Sequence, residues 1–240
     1  MTRDARHLAL PQVGADGQQR IAAGSVLLIG VGGIGCAAAA YLASSGVGHV
    51  TVCDFDTVDE TNLGRQVLYA KGHIGELKAE VAATRLRKIN PHIEVTAVSE
   101  RLTGGALATA VAAADVVLDG SDNFPTRFAV NDACVAGSRR LVSGSAIRLE
   151  GQLAVFGPDY AHSPCYRCLY VDADESLGDC AGNGVLAPVP GVIGTLMAVE
   201  CLKYLAGIAP PAPLLRLYDG MASEFRHLGV GKRADCPACG

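Results

Sequence analysis

The chain has no excess of basic residues, no long hydrophobic run and no low-complexity tract, and each absence narrows what it can be. Lysine and arginine number 20 against 24 aspartates and glutamates, a formal net charge of −4, and no Lys/Arg cluster appears. Such clusters are what hold a phosphate backbone, so nucleic acid is not an expected partner. The opening residues, MTRDARHLALPQ, carry charge where a secretory leader would carry an apolar core. The longest uncharged stretch, Ala181 to Val199, contains two prolines and ends at Glu200, which does not suit a membrane span. No membrane partner is expected, and the expected compartment is cytoplasmic.

What is present points to a packed, cysteine-bearing domain. Half of the 240 residues are apolar, enough for a substantial core. Nine cysteines without a leader do not suggest a disulfide framework in a reducing compartment. Four of them form two C-x-x-C pairs, Cys165/Cys168 in CYRC and Cys236/Cys239 in CPAC. Two such knuckles present four thiolates, the ligand set of a closed tetrahedral zinc site. Sixty-seven residues lie between Cys168 and Cys236, so the zinc is expected to staple together the two ends of the second half, with no open position for catalysis. Cys36, Cys53, Cys134 and Cys201 lie in apolar patterns and read as small core residues. The six histidines lack ligand spacing and read as surface or loop side chains.

Apolar runs alternate with helical patterns through the first part of the chain: SVLLIG then Gly33 to Ser45, HVTVCD, Glu76 to Ile89 then IEVTAV, Ala106 to Ala114 then DVVLD, and Pro125 to Ala136 then RLVSG. This alternation predicts parallel βαβ units in a doubly wound, Rossmann-like α/β fold. After Gly144 come strand-like EGQLAVF, a loop rich in Asp, Gly and Pro, a helix near Val192 to Leu205, and strand-like LLRLYD and EFRHLGV. No linker separates the halves, so these later strands are expected to extend the same sheet antiparallel. We read a single domain over 1–240, with a nucleotide-binding half at about 20–144 and a second half at about 145–240.

The segment VLLIGVGGIGCAAAAYLASSGVGHVTVCDFD holds G-x-G-x-x-G at Gly30, Gly32 and Gly35, with Gly33 inside it. Gly30 suits a tight strand-to-helix turn, Gly32 an approach of backbone to phosphate, and Gly35 close helix packing, with the helix N-terminus supplying N–H groups. Asp54, 19 positions past Gly35, is spaced to bond ribose hydroxyls. The motif alone fits a nicotinamide enzyme equally well. The next segment, DFDTVDETNLGRQ, places Asn62, Arg65 and Gln66 just beyond that strand, and Lys78 follows in GELKAE. LDGSDNFPTR then sets Asp119, Asp122 and Asn123 at a strand's carboxyl end, where open α/β sheets bind ligands. Two cations and a carboxylate suit a phosphoryl transition state with a metal ion. Asp56 either belongs to an acidic solvated loop with Asp59 and Glu60 or helps at the nucleotide.

In their order and joint occurrence, RHLALPQVGADGQQRI, GVGGIG, DFDTVDETNLGRQ, IGELKAE, LDGSDNFPTR, EGQ, CYRC, GVLAPVPGVIGTLMAVECLKYLAG and CPACG resemble the ubiquitin-activating superfamily in its ThiF/MoeB/HesA branch. The resemblance covers about Arg6 to Gly240. It implies ATP-dependent adenylation of the C-terminal glycine of a ubiquitin-like sulfur-carrier protein ending in Gly-Gly, in molybdopterin or thiamin biosynthesis. By that resemblance Gly32 lies against the nucleotide, Asp54 binds ribose, Asn62, Arg65 and Lys78 contact the phosphates of ATP, and Asp122 holds magnesium. Arg6 matches an arginine supplied by the neighbouring subunit, which implies a homodimer.

Cys180 matches a cysteine that in the thiamin branch bonds to the carrier, yet Asp172, Asp174, Glu175 and Asp179 around it would raise a thiol pKa, so an inert residue is the alternative. Arg127 either supports the helix after SDN or reaches the adenylate. Gly64 and Ser121 depart from the family pattern without removing a charged contact. No rhodanese-like domain follows Gly240, so the sulfurtransferase is expected to be a separate protein. Two other classes stay open on sequence alone: a nicotinamide dehydrogenase and a non-catalytic carrier-binding scaffold.

Overall fold

Strands buried on both faces cannot alternate apolar with polar residues, and they read instead as continuous Val, Leu and Ile runs. In the computed structural model, which describes residues 3–171, 184–208 and 213–240, such runs form the centre of one sheet. Its strands are β1 (Ser25–Ile29), β2 (His49–Cys53), β3 (Glu94–Val98), β4 (Val116–Asp119), β5 (Arg140–Ile147), β6 (Glu150–Phe156), β7 (Leu214–Asp219) and β8 (Glu224–Leu228). The order is β3-β2-β1-β4-β5-β6-β7-β8. The first five strands pair parallel, and β6, β7 and β8 continue antiparallel. The antiparallel extension expected from the later strands is therefore present. On the β3 edge, where pairing and cover run out, Glu94 and Thr96 are exposed.

Side chains on a strand alternate between faces, and the two hydrophobic clusters divide accordingly. Val26, Leu28, Val52 and Leu118 face α2 (Gly14–Ala23), α3 (Gly33–Ser44), α4 (Lys78–Ile89) and α8 (Pro188–Leu205). Leu27, Ile29 and Val117 face α5 (Gly104–Ala112), α6 (Phe124–Ala136) and the short α7 (Tyr166–Leu169). A single turn, α1 (Ala5–Leu8), precedes α2; neither of these two was foreseen. The fourth helix starts at Lys78 rather than Glu76, because the Lys78 N–H donates to the Asp56 carbonyl at 2.9 Å and so closes a bridge between Thr57 and Leu77. The last helix begins at Pro188, four positions before Val192, since prolines fit a first helical turn whose N–H groups have no intrahelical partner. No helix among the described residues is long and apolar enough to cross a membrane.

Glycines set the closest contacts. A Cβ on Gly35 would sit 2.0 Å from the Gly30 carbonyl oxygen, and one on Gly194 would sit 2.1 Å from the Ile34 carbonyl oxygen. Thus α3 lies tight on its own turn and α8 lies tight on α3. Gly194→Ala should lower stability by about 1–3 kcal/mol through this overpacking. Gly191→Ala, three residues earlier with nothing within 4 Å of its Cβ position, should leave stability unchanged or raise it by up to about 1 kcal/mol. Denaturant midpoints of the two variants against wild type check the pair, and equal midpoints would remove the proposed α3–α8 constraint.

Candidate nucleotide and zinc sites

Strand order reverses between β1 and β4, and ligands in open α/β sheets bind outside the carboxyl ends at such a point. A cavity of about 730 Å³ lies there, within the range of small-molecule sites. Gly30 turns the chain at φ +81°, and a Cβ on it would meet the Gly120 carbonyl and the Ser121 nitrogen at 3.0 Å. The β1–α3 and β4–α6 turns are thereby held together. Around Gly32 the only atom of the described residues near a Cβ position is Gln66 Nε2, at 3.8 Å, so backbone is open to the cavity beside the α3 N-terminus.

Asp54, just past β2, accepts from the Val31 N–H at 2.8 Å through Oδ2 and from the Asp56 N–H at 3.0 Å through Oδ1. The Val31 carbonyl accepts from the Tyr69 hydroxyl at 2.8 Å, so this residue of the glycine loop is held through both its N–H and its carbonyl. Burial raises the Asp54 pKa, against the lowering effect of these N–H groups and Lys78. Lys78 is nearly buried and its Nζ lies 3.0 Å from Asp56 Oδ2. Asp56 is solvent-exposed and also lines the cavity, paired with that cation. Arg65 lines the cavity and donates from Nη1 to the Thr61 carbonyl at 3.0 Å. Gln66 also lines it, buried, with Oε1 lacking a protein partner.

The remaining residues named from sequence are distributed unevenly. Asp122 is exposed at the cavity and accepts from Asn123 Nδ2 at 3.2 Å, while Asn123 Oδ1 caps α6 by accepting from the Thr126 N–H at 3.0 Å. Asn62 does not line the cavity, its Oδ1 being bound to the Asp59 N–H at 3.1 Å. Asp59 in turn accepts from Thr61 N–H and Oγ1, which holds its carboxyl below the ordinary range. Arg6 is exposed on α1, away from the cavity of its own chain. Cys180 lies outside the described residues. Two wall residues carried no sequence signal: Arg101, stacked 4.2 Å over the Phe55 ring, and Arg226 of β8. Gln152, the last residue of EGQ, joins them from β6, and only the sheet order brings the three together.

Between β4 and α6 runs a buried polar network. Asp119 Oδ1 accepts from Ser121 N at 3.0 Å and Ser121 Oγ at 2.6 Å. Burial raises its carboxyl pKa, offset in part by the charge of Arg127. Arg127 donates from Nη2 to the carbonyls of Ser121 and Gly144, and from Nη1 to the Tyr166 hydroxyl at 3.3 Å. The alternative in which Arg127 supports the loop and helix after Ser121 thus matches its bonds, although its side chain also lines the cavity.

Behind α6 the four cysteines meet as their spacing predicts. The sulfurs of Cys165, Cys168, Cys236 and Cys239 lie within 4.8 Å of one another, with Cys165–Cys236 at 3.6 Å and Cys168–Cys239 at 3.5 Å. A tetrahedron with Zn–S near 2.3 Å has edges of roughly 3.8 Å, so the cluster fits zinc. The separations are too long for disulfides. Asn131 Nδ2 approaches Cys165 Sγ at 3.6 Å and its Oδ1 accepts from the Tyr166 N–H at 2.8 Å, while the Arg233 N–H points to Cys168 Sγ at 3.5 Å. Donors to the sulfurs are the usual outer partners of thiolate ligands. Cys36, Cys53, Cys134 and Cys201 are buried, as expected of core residues.

What this geometry defines is a doubly wound α/β protein with a nucleotide-sized site at its switch point and a four-cysteine knuckle behind one helix. The ThiF family model matches residues 5–238, and the chain belongs to that family. It is 46% identical over 238 residues to the sulfur carrier protein ThiS adenylyltransferase of Escherichia coli K12, covering 99% of this chain and 94% of that one. It is 44% identical over 241 residues to the molybdopterin-synthase adenylyltransferase of the same organism, covering 100% and 96%. Among solved structures, Escherichia coli MccB with MccA-N7isoASN shares the fold at a TM-score of 0.86 and 24% identity, over 100% of this chain and 75% of that one. The resemblance drawn from the motifs is therefore borne out at the level of the family.

Purified protein should contain one zinc per chain, and Cys236→Ser should lose it with a fall in melting temperature of roughly 5–15 °C. Metal analysis beside thermal unfolding checks this; a metal-free wild type of undiminished stability would remove the zinc assignment.

Proposed function

We propose that this protein adenylates the C-terminal glycine of a ubiquitin-like sulfur-carrier protein, using ATP. The observation that carries the reading is the composition of one continuous cavity. At one end are the open Gly32 backbone, Lys78, Arg65 and Asp122; at the other the same wall runs over Gln152, Tyr218 and Arg226 of the antiparallel strands. A dinucleotide enzyme needs no cation pair and carboxylate beyond the ribose-side aspartate. A nucleotide triphosphate meeting a peptide carboxylate needs both.

The chemistry is the approach of two anions. A carboxylate oxygen of the terminal glycine attacks the α-phosphorus, pyrophosphate leaves, and an acyl-adenylate forms. Positioning and electrostatics suffice for such a transfer when charge is met by fixed donors. Asp54 holds the ribose with the lone pairs left free by its two backbone bonds, and the α3 N-terminus faces the phosphates. Lys78 exchanges the Asp56 carboxylate for a phosphate oxygen, and Arg65 reaches the same group from its loop. Asp122, with Asn123 beside it, would hold magnesium, which supplies charge neutralisation between the two anions. The exposed Arg6 is then available to a second copy of the chain, consistent with a homodimer. Conversion of the adenylate to a thiocarboxylate is assigned to a separate sulfurtransferase, in the cytoplasm.

ATP–pyrophosphate exchange tests the reading, with a molybdopterin-type and a thiamin-type carrier assayed separately, each with Gly-Gly intact and then deleted. Exchange should depend on one carrier's Gly-Gly, and that carrier names the pathway. Asp122→Ala should lower it roughly 10²–10³-fold with the fold unchanged by circular dichroism. Carrier binding without exchange in wild type would favour the scaffold reading.

A further inference from the structure

Tyr166 is 1% exposed and lies between two cysteines of the zinc knuckle, yet it lines the nucleotide cavity. Its position is set from several sides. The backbone N–H donates to Asn131 Oδ1 at 2.8 Å, and the ring meets Phe128 at 5.9 Å and 67° and Phe156 at 6.2 Å and 85°, both edge-on. From this fixed place its hydroxyl accepts from Arg127 Nη1 at 3.3 Å. The other end of that guanidinium donates to the carbonyls of Ser121 and Gly144. A planar guanidinium with acceptors on both terminal nitrogens has little freedom to rotate.

The loop so held is the one that carries Asp122. Asp119 grips it from β4 through the Ser121 N–H and hydroxyl, and Arg127 grips it through the Ser121 carbonyl. Asp122 itself makes a hydrogen bond only to its neighbour Asn123 among the described contacts, so its placement follows that of Ser121. We propose that Tyr166 is a positioning residue for the phosphate end of the cavity: its hydroxyl orients Arg127, which fixes the Gly120–Asn123 loop and so the place of Asp122. The inference rests on the magnesium role given to Asp122 above. It also gives the zinc knuckle, which has no open coordination position, a route to the site some residues away, because Cys165 and Cys168 flank the tyrosine.

The test is Tyr166→Phe, which keeps the ring among its aromatic neighbours and removes only the hydroxyl. Magnesium dependence of ATP binding is read by calorimetry without any carrier, and hydrogen exchange is followed on the peptide spanning 119–124. The half-saturating magnesium concentration should rise about tenfold, the scale of one hydrogen bond to a charged group. ATP affinity at saturating magnesium should change less than about twofold, loop amides should exchange faster, and zinc content and melting temperature should match wild type. Arg127→Lys, which keeps the charge without the fork, should shift the magnesium requirement at least as far.

A wild-type magnesium requirement in Tyr166→Phe would overturn the proposal, as would a shift accompanied by zinc loss or a lowered melting temperature, which marks a structural role alone. Wild type that binds magnesium-ATP but exchanges pyrophosphate with neither carrier would sink the carrier reading while this one stands. Wild type that binds no magnesium-ATP would end both.

Discussion

The close approach of two turns, Gly30 against Gly120 and Ser121, is the constraint on which the site depends. With β1 and β4 adjacent and parallel, their carboxyl-end loops leave the sheet side by side, and side chains there would force them apart. Gly30 at φ +81° and Gly35 under the Gly30 carbonyl remove that obstacle, because only glycine accepts both the conformation and the contact. The consequence is chemical as well as steric. The α3 N-terminus and the Asp122 loop open on the same space, so N–H donors and the Asp122 carboxylate face one cavity.

Helix α6 ties that space to the four-cysteine cluster. Its N-terminus is capped by Asn123 and its first turn carries Arg127, while one turn on Asn131 reaches Cys165 and the Tyr166 N–H. Asp132, next along, accepts a two-pronged bond from Arg167 at 2.7 and 2.8 Å, and the same guanidinium stacks 4.3 Å over the Phe128 ring. Arginine forks of this kind fix orientation as well as distance. The knuckle therefore does more than close the C-terminal segment: it is bolted along one face of the helix whose start borders the cavity.

Much of the fold was legible because burial writes it into the sequence. Continuous apolar strands and helices of ten or more residues between them each have one physical reading, and the eight strands lie where those patterns put them. The nucleotide motif was legible for the same reason, since Gly30, Gly35 and Asp54 answer to local backbone geometry. Less was legible where tertiary contact decides. The α1 and α2 helices are short and mostly exposed, so no apolar stripe announces them. Tyr166 reads as filler inside CYRC, where the eye goes to the sulfurs. Arg101, Gln152 and Arg226 come from the loop after β3, from within β6 and from within β8, and no linear spacing brings them together. The ligand roles of Asn62 and Arg6 belong to the family resemblance, as neither side chain enters the cavity of its own chain.

An acidic chain that takes up a highly anionic ligand must concentrate its positive charge locally, and it does so without leaving that charge bare. Lys78 is nearly buried, where an unpaired ammonium would be costly; Asp56, half exposed, pairs with it at 3.0 Å. A pair with one member in solvent is weak enough to exchange, because water screens the exposed carboxylate. In the adenylation proposed above, an incoming phosphate oxygen offers the same lysine a more highly charged partner from inside the cavity. Arg127 is treated differently: carbonyls and a phenol take its hydrogens, so it keeps its charge without a carboxylate bonded to it and has no bonded anion to surrender. In that proposal one cation changes partners and the other stays, and the division follows from what each is bonded to: a solvent-facing carboxylate in one case, fixed neutral oxygens of the fold in the other.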